Sequence, residues 1–156
     1  MAGGSREHAA IAANMVALLA SALRGRPCQV HTSDLRVRVT ASGLATYPDA
    51  SVICGRAELD REDRLGHTVT NPLLVVEVLS PSTEKYDRSE KLSEYQSIAS
   101  LREVVLVSHT GHEIDVWRRA DDGSWAVFNY RDSTFELTSI EATLQISEVY
   151  RDPLAG

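Results

Sequence analysis

The feature that most constrains this chain is an apolar run at residues 73–79, LLVVEVL, which is interrupted by a single acid, Glu77. A short run rich in valine and leucine is typical of a central strand that is buried on both faces. Burying an unpaired carboxylate costs several kcal/mol or forces the group to take up a proton. A hydrogen-bonding or charged partner must therefore compensate for the burial of Glu77.

The residues after this run predict a helix that returns toward the strand. A turn-forming Ser-Pro-Ser-Thr sequence ends the strand. Asp87 and Glu90 then have the spacing of a capping box, so we expect a helix that begins at Asp87 and extends to Ile98. Lys91 lies in its first turn, and Tyr95 lies one turn later on the same side. A lysine is thus expected to approach the buried acid.

Length and composition are those of an ordinary globular protein. A chain of 156 residues can bury about 70% of its unfolded surface, and we expect residues 1–156 to form a single domain. We expect neither a secretory signal nor a membrane span, since no apolar run approaches the roughly 18 residues that a span needs. Cys28 and Cys54 give no disulfide framework, so we expect both to be reduced and structural in a cytoplasmic protein.

The charge of the chain disfavours a broad nucleic-acid-binding surface. The formal net charge is −6, whereas non-specific binding usually needs a basic face. A local basic groove remains compatible with this charge, because metal ions can supply positive charge. Arg36 and Arg38 alternate on one exposed side of a predicted strand and could contact phosphates, although a solvated strand face is the favoured interpretation.

Hydrophobic periodicity predicts an α+β fold, with a mixed sheet and helices packed against it. The predicted helices span residues 5–24 and 87–98, with a short one from about residue 146. The predicted strands span residues 29–40, 46–54, 73–79, 103–108, 113–119, 124–130 and 134–137, and a charged surface loop spans 55–67. The strand–helix–strand unit from 73 to 108 should make a parallel pair through a right-handed crossover.

A second acid, Asp49, follows Pro48 in the strand predicted at 46–54. Proline lacks an N–H, so this strand is expected to be bulged or unpaired there. Carboxylates from neighbouring strands, such as Asp49 and Glu77, can share a hard cation such as Mg²⁺. A nearby lysine, Lys91, could orient or deprotonate a water, and these three parts suit metal-assisted phosphodiester hydrolysis.

These motifs carry a resemblance to a known family. Tyr-Pro-Asp at 47–49, Glu-Val-Leu-Ser-Pro-Ser-Thr at 77–83 and the following Asp87, Lys91 and Tyr95 resemble the bacterial putative restriction endonuclease family. That family belongs to the PD-(D/E)XK nuclease superfamily, and the resemblance covers nearly the whole chain. The superfamily pattern has a lysine two residues after the second acid, where this chain has Leu79. Members of the family are thought to recruit the lysine from the following helix, which is the place of Lys91.

The resemblance implies a restriction-endonuclease-like fold and a metal-dependent endonuclease that acts on DNA. It implies Mg²⁺, with Mn²⁺ as a substitute, held by Asp49, Glu77 and the Val78 carbonyl, while Lys91 positions the attacking water. A homodimer is compatible with such a function. Family chains usually carry an extra hairpin ahead of the first helix, whereas this sequence begins directly at that helix.

Each of these residues also has a structural interpretation. Glu77 could be a buried acid bonded to an arginine or to backbone amides, Asp49 could stabilise a turn, and Lys91 could pair with Asp87 on a helix surface. A nuclease fold without turnover, serving as a binding or regulatory module, is therefore the alternative function. The acidic net charge and Leu79 in place of the usual lysine favour it.

The histidines give weaker signals. His109 and His112 flank a Thr-Gly turn, and no cysteine or further histidine nearby completes a tetrahedral site, so we interpret them as surface residues. Glu7 and His8 of the first helix should face either the edge of the core or the candidate site.

Overall fold

The computed structural model describes residues 4–155 of the chain. Its helices are α1 (Arg6–Ala22), α2 (Glu84–Asp87), α3 (Glu90–Gln96) and α4 (Ile146–Val149), and a 3-10 turn spans Thr138–Ile140. The first strands are β1 (Cys28–Thr32), β2 (Arg36–Arg38), β3 (Ala45–Thr46), β4 (Ala50–Cys54), β5 (Thr68–Val69) and β6 (Leu74–Val78). The later strands are β7 (Glu103–Val107), β8 (Ile114–Arg119), β9 (Trp125–Tyr130), β10 (Thr134–Leu137) and β11 (Ala142–Gln145).

A six-stranded mixed sheet forms the centre of the fold, in the order β1-β4-β6-β7-β8-β9. β6 and β7 run parallel, and every other neighbouring pair in this sheet is antiparallel. A small sheet of β3, β2 and β5 and a hairpin of β10 and β11 complete the strands. The predicted α+β class and the predicted parallel pair are confirmed.

The central strand β6 is buried on both faces, as its apolar sequence predicts. Alternate side chains of a strand point to opposite faces, and Leu74 and Val76 belong to the core that contains Met15 of α1. Val75 and Leu79 belong to the second core, which contains Leu92 and Tyr95 of α3. Residue 77 has the same parity as the second set, so the acid of this strand lies on the face covered by α3.

Helix α1 covers the first of these faces. It begins at Arg6, where the Ser5 side chain accepts a hydrogen bond from the His8 N–H at 3.1 Å. It ends at Ala22, and Gly25 follows with a φ of 78°, a left-handed conformation that favours glycine. The predicted span of 5–24 is therefore correct to within two residues, and His8 is held at the start of the helix. Between residues 4 and 155 no helix is long and apolar enough to cross a membrane.

The prediction that Asp87 caps a continuous helix is wrong. Helix α2 ends at Asp87, and α3 begins at Glu90 after the cap residue Ser89. The turn that follows β6 starts α2 early, since the Glu84 N–H donates to the Ser80 carbonyl at 2.9 Å. The Asp87 side chain is buried and faces Lys91 rather than a free helix end.

The structure also changes the predicted strands. The strand predicted at 29–40 is divided by a turn into β1 and β2, and the one predicted at 46–54 is divided into β3 and β4 around Pro48. Proline cannot donate a ladder hydrogen bond, which explains the second division. Strands β5 and β11 were not predicted, because they gain their stability from pairing with β2 and β10 rather than from a marked sequence pattern.

The prediction that both cysteines are reduced is also wrong. Cys28 of β1 and Cys54 of β4 are directly opposite each other in the antiparallel register, and they form a disulfide. Spacing along the sequence does not reveal that two strands are neighbours, so the pairing could not be predicted from it. Because the cysteines are bonded to each other, they no longer support the prediction of a cytoplasmic location.

Removing this disulfide should lower the stability of the fold without changing its topology. The bond closes a loop between residues 26 positions apart, and a loop of that size restricts the unfolded chain by about 3 kcal/mol. We expect Cys28→Ser/Cys54→Ser to lower the free energy of unfolding by about that amount. Urea titrations of both proteins, with and without a reductant, measure the difference. A reductant should destabilise only the wild type, and equal curves in all conditions would contradict the bond.

Candidate active site

The pairing of β4 with β6 brings two acids together. Ala50 lies opposite Val76 and Ser51 lies opposite Val75. Continuing this register by one residue puts Asp49 opposite Glu77, and directly opposite residues of an antiparallel pair project to the same face. The two carboxylates therefore belong to one face of the sheet, below α3.

Asp49 is tied to the end of β6 through the backbone. Its Oδ2 accepts a hydrogen bond from the Val78 N–H at 2.7 Å. The Nε2 of His8 lies 3.0 Å from the Val78 carbonyl oxygen and 3.5 Å from the same Asp49 Oδ2. Since a carbonyl can only accept, this geometry requires a proton on His8 Nε2. Helix α1 thus contributes an imidazole to the site.

Glu77 is 5% exposed, and both of its carboxylate oxygens have a partner. Oε2 lies 2.6 Å from the Lys91 ammonium, and Oε1 accepts a hydrogen bond from the Tyr95 hydroxyl at 3.2 Å. The same hydroxyl lies 3.4 Å from the Thr46 hydroxyl. The partners are thus a lysine and a tyrosine on α3 rather than an arginine or backbone amides.

Burial dominates the acid–base behaviour of this group. The pKa of Glu77 is raised to about 7, mainly by burial; the Lys91 ammonium opposes the rise, and the neighbouring Asp49 and Asp87 carboxylates add to it. Burial alone would lower the pKa of Lys91, but the Glu77, Asp87 and Asp49 carboxylates raise it above its ordinary value. Lys91 is therefore a cation at neutral pH, next to a carboxyl group that ionises only near neutrality.

Asp87 is a third acid of this site, which sequence reasoning assigned to helix capping. It is 5% exposed, and its Oδ1 lies 3.8 Å from the Lys91 ammonium. Burial raises its pKa, Lys91 and the Thr83 side chain lower it, and Asp49 raises it. The i, i+4 spacing of Asp87 and Lys91 indicated their proximity, but nothing in the sequence showed that the pair is buried.

Helix α3 is held in place from its far end. Arg119 of β8 donates hydrogen bonds to the carbonyl oxygens of Gln96 at 2.8 Å, Ile98 at 3.0 Å and Ala99 at 2.8 Å. Gln96 is the last residue of α3, so its carbonyl has no partner within the helix, and Ile98 and Ala99 lie just beyond it. A cation there also complements the helix dipole. This contact fixes the orientation of the helix that carries Lys91.

The carboxylates and the lysine open into one cavity of about 280 Å³. Its lining includes Asp49, Glu77, Val78, Asp87 and Lys91. Serine and threonine residues of the turn after β6, with Gly4, His8 and Tyr47, form the remaining walls. The predicted residues therefore come together around one small cavity.

The donors in this cavity fit a hard divalent cation. Asp49 Oδ1 has no hydrogen-bond partner among residues 4–155, where the bonds of this carboxylate involve Oδ2. The Glu77 oxygens and the Val78 carbonyl retain a second lone pair each. No group of three or more His, Cys, Asp or Glu side chains within those residues has the arrangement of a metal cluster. Mg²⁺ commonly uses one or two carboxylates and keeps several waters, which matches this donor set.

The other candidate residues lie apart from the carboxylates. Glu7 is exposed and pairs with Arg6 at 3.2 Å. His109 Nε2 lies 2.7 Å from Glu84 Oε1, and the His112 ring stacks on Tyr150 at a centroid distance of 4.4 Å. These contacts agree with the structural interpretation of the two histidines.

The basic strip on β2 is neutralised. Arg36 pairs with Asp63 at 3.4 Å and Arg38 pairs with Asp60 at 3.0 Å, and both acids lie in the loop before β5. A larger cavity, of about 1010 Å³, lies beside Arg38 and residues 56–62 of this loop. It contains none of the three predicted site residues, so the smaller cavity is the candidate active site.

Comparison with known proteins identifies the family. The model of the Uma2 family, described as "Putative restriction endonuclease", matches residues 1–148. This chain belongs to the Uma2 family. The expected family resemblance is confirmed, and the family description supports a nuclease function in general.

Two proteins of known sequence and one solved structure are similar to this chain. The chain is similar to two uncharacterised proteins of Synechocystis, slr1290 and sll1609. The first is 39% identical over 97% of this chain and 78% of that protein. The second is 29% identical over 80% of this chain and 70% of that protein. A crystal structure described as a putative nuclease belonging to DUF820, from Anabaena variabilis, superposes with a TM-score of 0.73 at 19% identity. The match covers 96% of this chain and 83% of that one and shows a shared fold.

The raised pKa of Glu77 predicts a specific dependence of stability on pH. A folded-state pKa of about 7, against an ordinary value of 4.5, means that the folded protein binds this proton more tightly. Stability from this group is therefore fully present below about pH 4.5 and is lost as the pH rises to about 7. The loss amounts to about 3 kcal/mol for such a shift.

The variant Glu77→Gln isolates this effect, because glutamine mimics the protonated acid. In EDTA, the unfolding free energy of the wild type should fall relative to Glu77→Gln between pH 4.5 and 7 and then level off. Lys91 keeps Asp87 as a partner in the variant, 3.8 Å away. Chemical denaturation at several pH values measures the difference. A difference that grows in favour of the wild type as the pH rises would mean that Glu77 is a stabilising ion-pair anchor.

Proposed function

We propose that this chain is a metal-dependent endonuclease that hydrolyses phosphodiester bonds in DNA. The observation that carries the proposal is the convergence of Asp49, Glu77 and Lys91 on one cavity, although the sequence separates them by as much as 42 positions. Two acids and a lysine suit the hydrolysis of a phosphodiester by a metal-activated water. The family assignment supports the same class of reaction.

Asp49, Glu77 and the Val78 carbonyl are the residues that would hold Mg²⁺, or Mn²⁺ in its place. When bound, the cation offsets phosphate charge and lowers the pKa of a coordinated water. The Asp49 carboxylate is oriented for this role by the Val78 N–H. Its ordered geometry reduces the reorganisation needed when substrate binds.

Lys91 would act on the substrate side of the cavity. The Lys91 side chain is 14% exposed and lines the cavity, so its ammonium has access to a molecule bound there. A compact ammonium with three donors can orient the attacking water and stabilise negative charge that develops on the phosphate. The Tyr95 hydroxyl, bonded to Glu77 Oε1 at 3.2 Å, would keep that carboxylate in one orientation.

The alternative is a binding or regulatory module without turnover. Two observations favour it: Lys91 is already paired with Glu77 at 2.6 Å, and Arg36 and Arg38 are neutralised by loop acids. Such a protein would bind a cation or nucleic acid without cleaving it. A homodimer and a cytoplasmic location stay predictions under either function.

Plasmid cleavage distinguishes the two functions. Purified wild-type protein should nick or linearise supercoiled plasmid in Mg²⁺ and not in EDTA. Asp49→Asn and Lys91→Ala should each lower the rate by about 100-fold or more, as expected for metal-site and proton-handling residues. Mg²⁺ should raise the melting temperature of the wild type by mass action, and it should have no such effect on Asp49→Asn.

Lys85→Ala is the matched control, because Lys85 is the other lysine of the chain and is exposed on α2. It should cleave at the wild-type rate. Cleavage by Lys91→Ala at the wild-type rate would remove Lys91 from the mechanism. Mg²⁺ binding without cleavage of DNA or RNA would favour the module without turnover.

A further inference from the structure

Lys91 lies between two buried carboxylates. Its ammonium is 2.6 Å from Glu77 Oε2 and 3.8 Å from Asp87 Oδ1. Among residues 4–155 these two acids are its ion-pair partners. The three residues line the same cavity, and their side chains are largely shielded from water.

The closer of these contacts competes with metal binding. Glu77 is a proposed ligand of the cation, and the Lys91 ammonium holds the oxygen that faces it. Two positive charges on one carboxylate repel each other strongly in a poorly solvated site. For Glu77 to bind a divalent cation, the ammonium has to move away from it. A buried ammonium left without a partner is strongly unfavourable, so a second acceptor is needed.

Asp87 has the position that this second acceptor requires. It comes one helical turn before Lys91 in sequence, and a short movement of the lysine side chain would bring the two into contact. Its backbone N–H donates to the Thr83 carbonyl at 2.8 Å. The next residue, Arg88, pairs with Glu84 at 2.9 Å and with Asp115 of β8 at 2.7 Å. The acceptor is therefore attached to an anchored segment.

We propose that Asp87 is a positioning residue that accepts the Lys91 ammonium when Glu77 turns to the metal. The exchange would free Glu77 as a ligand and keep Lys91 charged and directed into the cavity. This inference rests on the proposed metal-dependent function. It assigns to Asp87 a role that acts through Lys91 and not through direct contact with the cation.

Removal of the Asp87 charge should therefore affect Mg²⁺ binding only while Lys91 is present. Asp87→Asn keeps the shape of the side chain, and Lys91→Met keeps much of its length without the charge. Mg²⁺ binding to EDTA-treated protein is measured by titration calorimetry for the wild type, both single variants and the double variant. Such a double-mutant cycle separates a pairwise interaction from independent effects.

We expect Asp87→Asn to weaken Mg²⁺ binding about tenfold, within the range for residues that support a metal ligand. In the Lys91→Met background the same change should alter the dissociation constant by less than about twofold, because no ammonium remains to compete. An equal weakening in both backgrounds would mean that Asp87 acts only through the general negative charge of the site. That result would overturn the proposal.

Three further measurements test this interpretation. Glu90→Gln removes an exposed acid from the adjacent helix turn, and it should bind Mg²⁺ within about twofold of the wild type. Melting in EDTA should show that the Asp87→Asn protein is folded, and Asp87→Ser repeats the comparison if the amide is not tolerated. For plasmid cleavage at saturating Mg²⁺, Asp87→Asn should lower kcat and leave KM for DNA unchanged, whereas Asp87→Glu should restore part of kcat.

The wild-type titration separates failure of this inference from failure of the proposed function. A wild type that binds no Mg²⁺ up to millimolar concentrations would overturn the metal-dependent function, and this inference with it. A wild type that binds and cleaves, together with an Asp87→Asn variant that matches it in both assays, would overturn only the role of Asp87.

Discussion

The contact between the Lys91 ammonium and the Glu77 carboxylate, at 2.6 Å, joins helix α3 to the central strand β6 of the six-stranded sheet. A carboxylate inside a sheet that is covered on both faces would otherwise be severely destabilising. The lysine lowers that cost but does not remove it, because burial and two neighbouring acids still raise the pKa of Glu77 to about 7. The site therefore tolerates local instability, which is common where function requires a charge in a buried place.

Geometry around this contact depends on elements too short to be stable alone. Helix α2 has four residues and α3 has seven, well below the length at which isolated helices form in water. Strand β8 stabilises both from the side, since Arg119 binds the carbonyls at the end of α3 and Asp115 binds Arg88 next to α2. The register of β4 against β6 then places Asp49 beside Glu77. Helix α3 is therefore attached to the sheet both by charged hydrogen bonds and by the apolar packing of Leu92 and Tyr95.

The charge balance of the site favours a cation. Three carboxylates, those of Asp49, Glu77 and Asp87, surround one ammonium and one imidazole. The arginines of β2, which could have faced a polyanion, are paired with acids of the following loop. Positive charge for a nucleic-acid phosphate would thus come from Lys91 and from a bound metal ion, consistent with an overall charge of −6.

Much of the fold and of the candidate site could be predicted from the sequence alone. The remaining features depend on the tertiary structure, for physical reasons that can be named. The apolar run around Glu77 determined a central buried strand, and the spacing of Lys91 and Tyr95 determined that one helix side faces it, because periodicity reports burial directly. The disulfide and the role of Asp87 depend on which segments become neighbours. Cys28 meets Cys54 only through a strand pairing that no local pattern encodes. Asp87 looked like a helix cap because capping and buried pairing use the same side chain, and only packing against Lys91 decided between them.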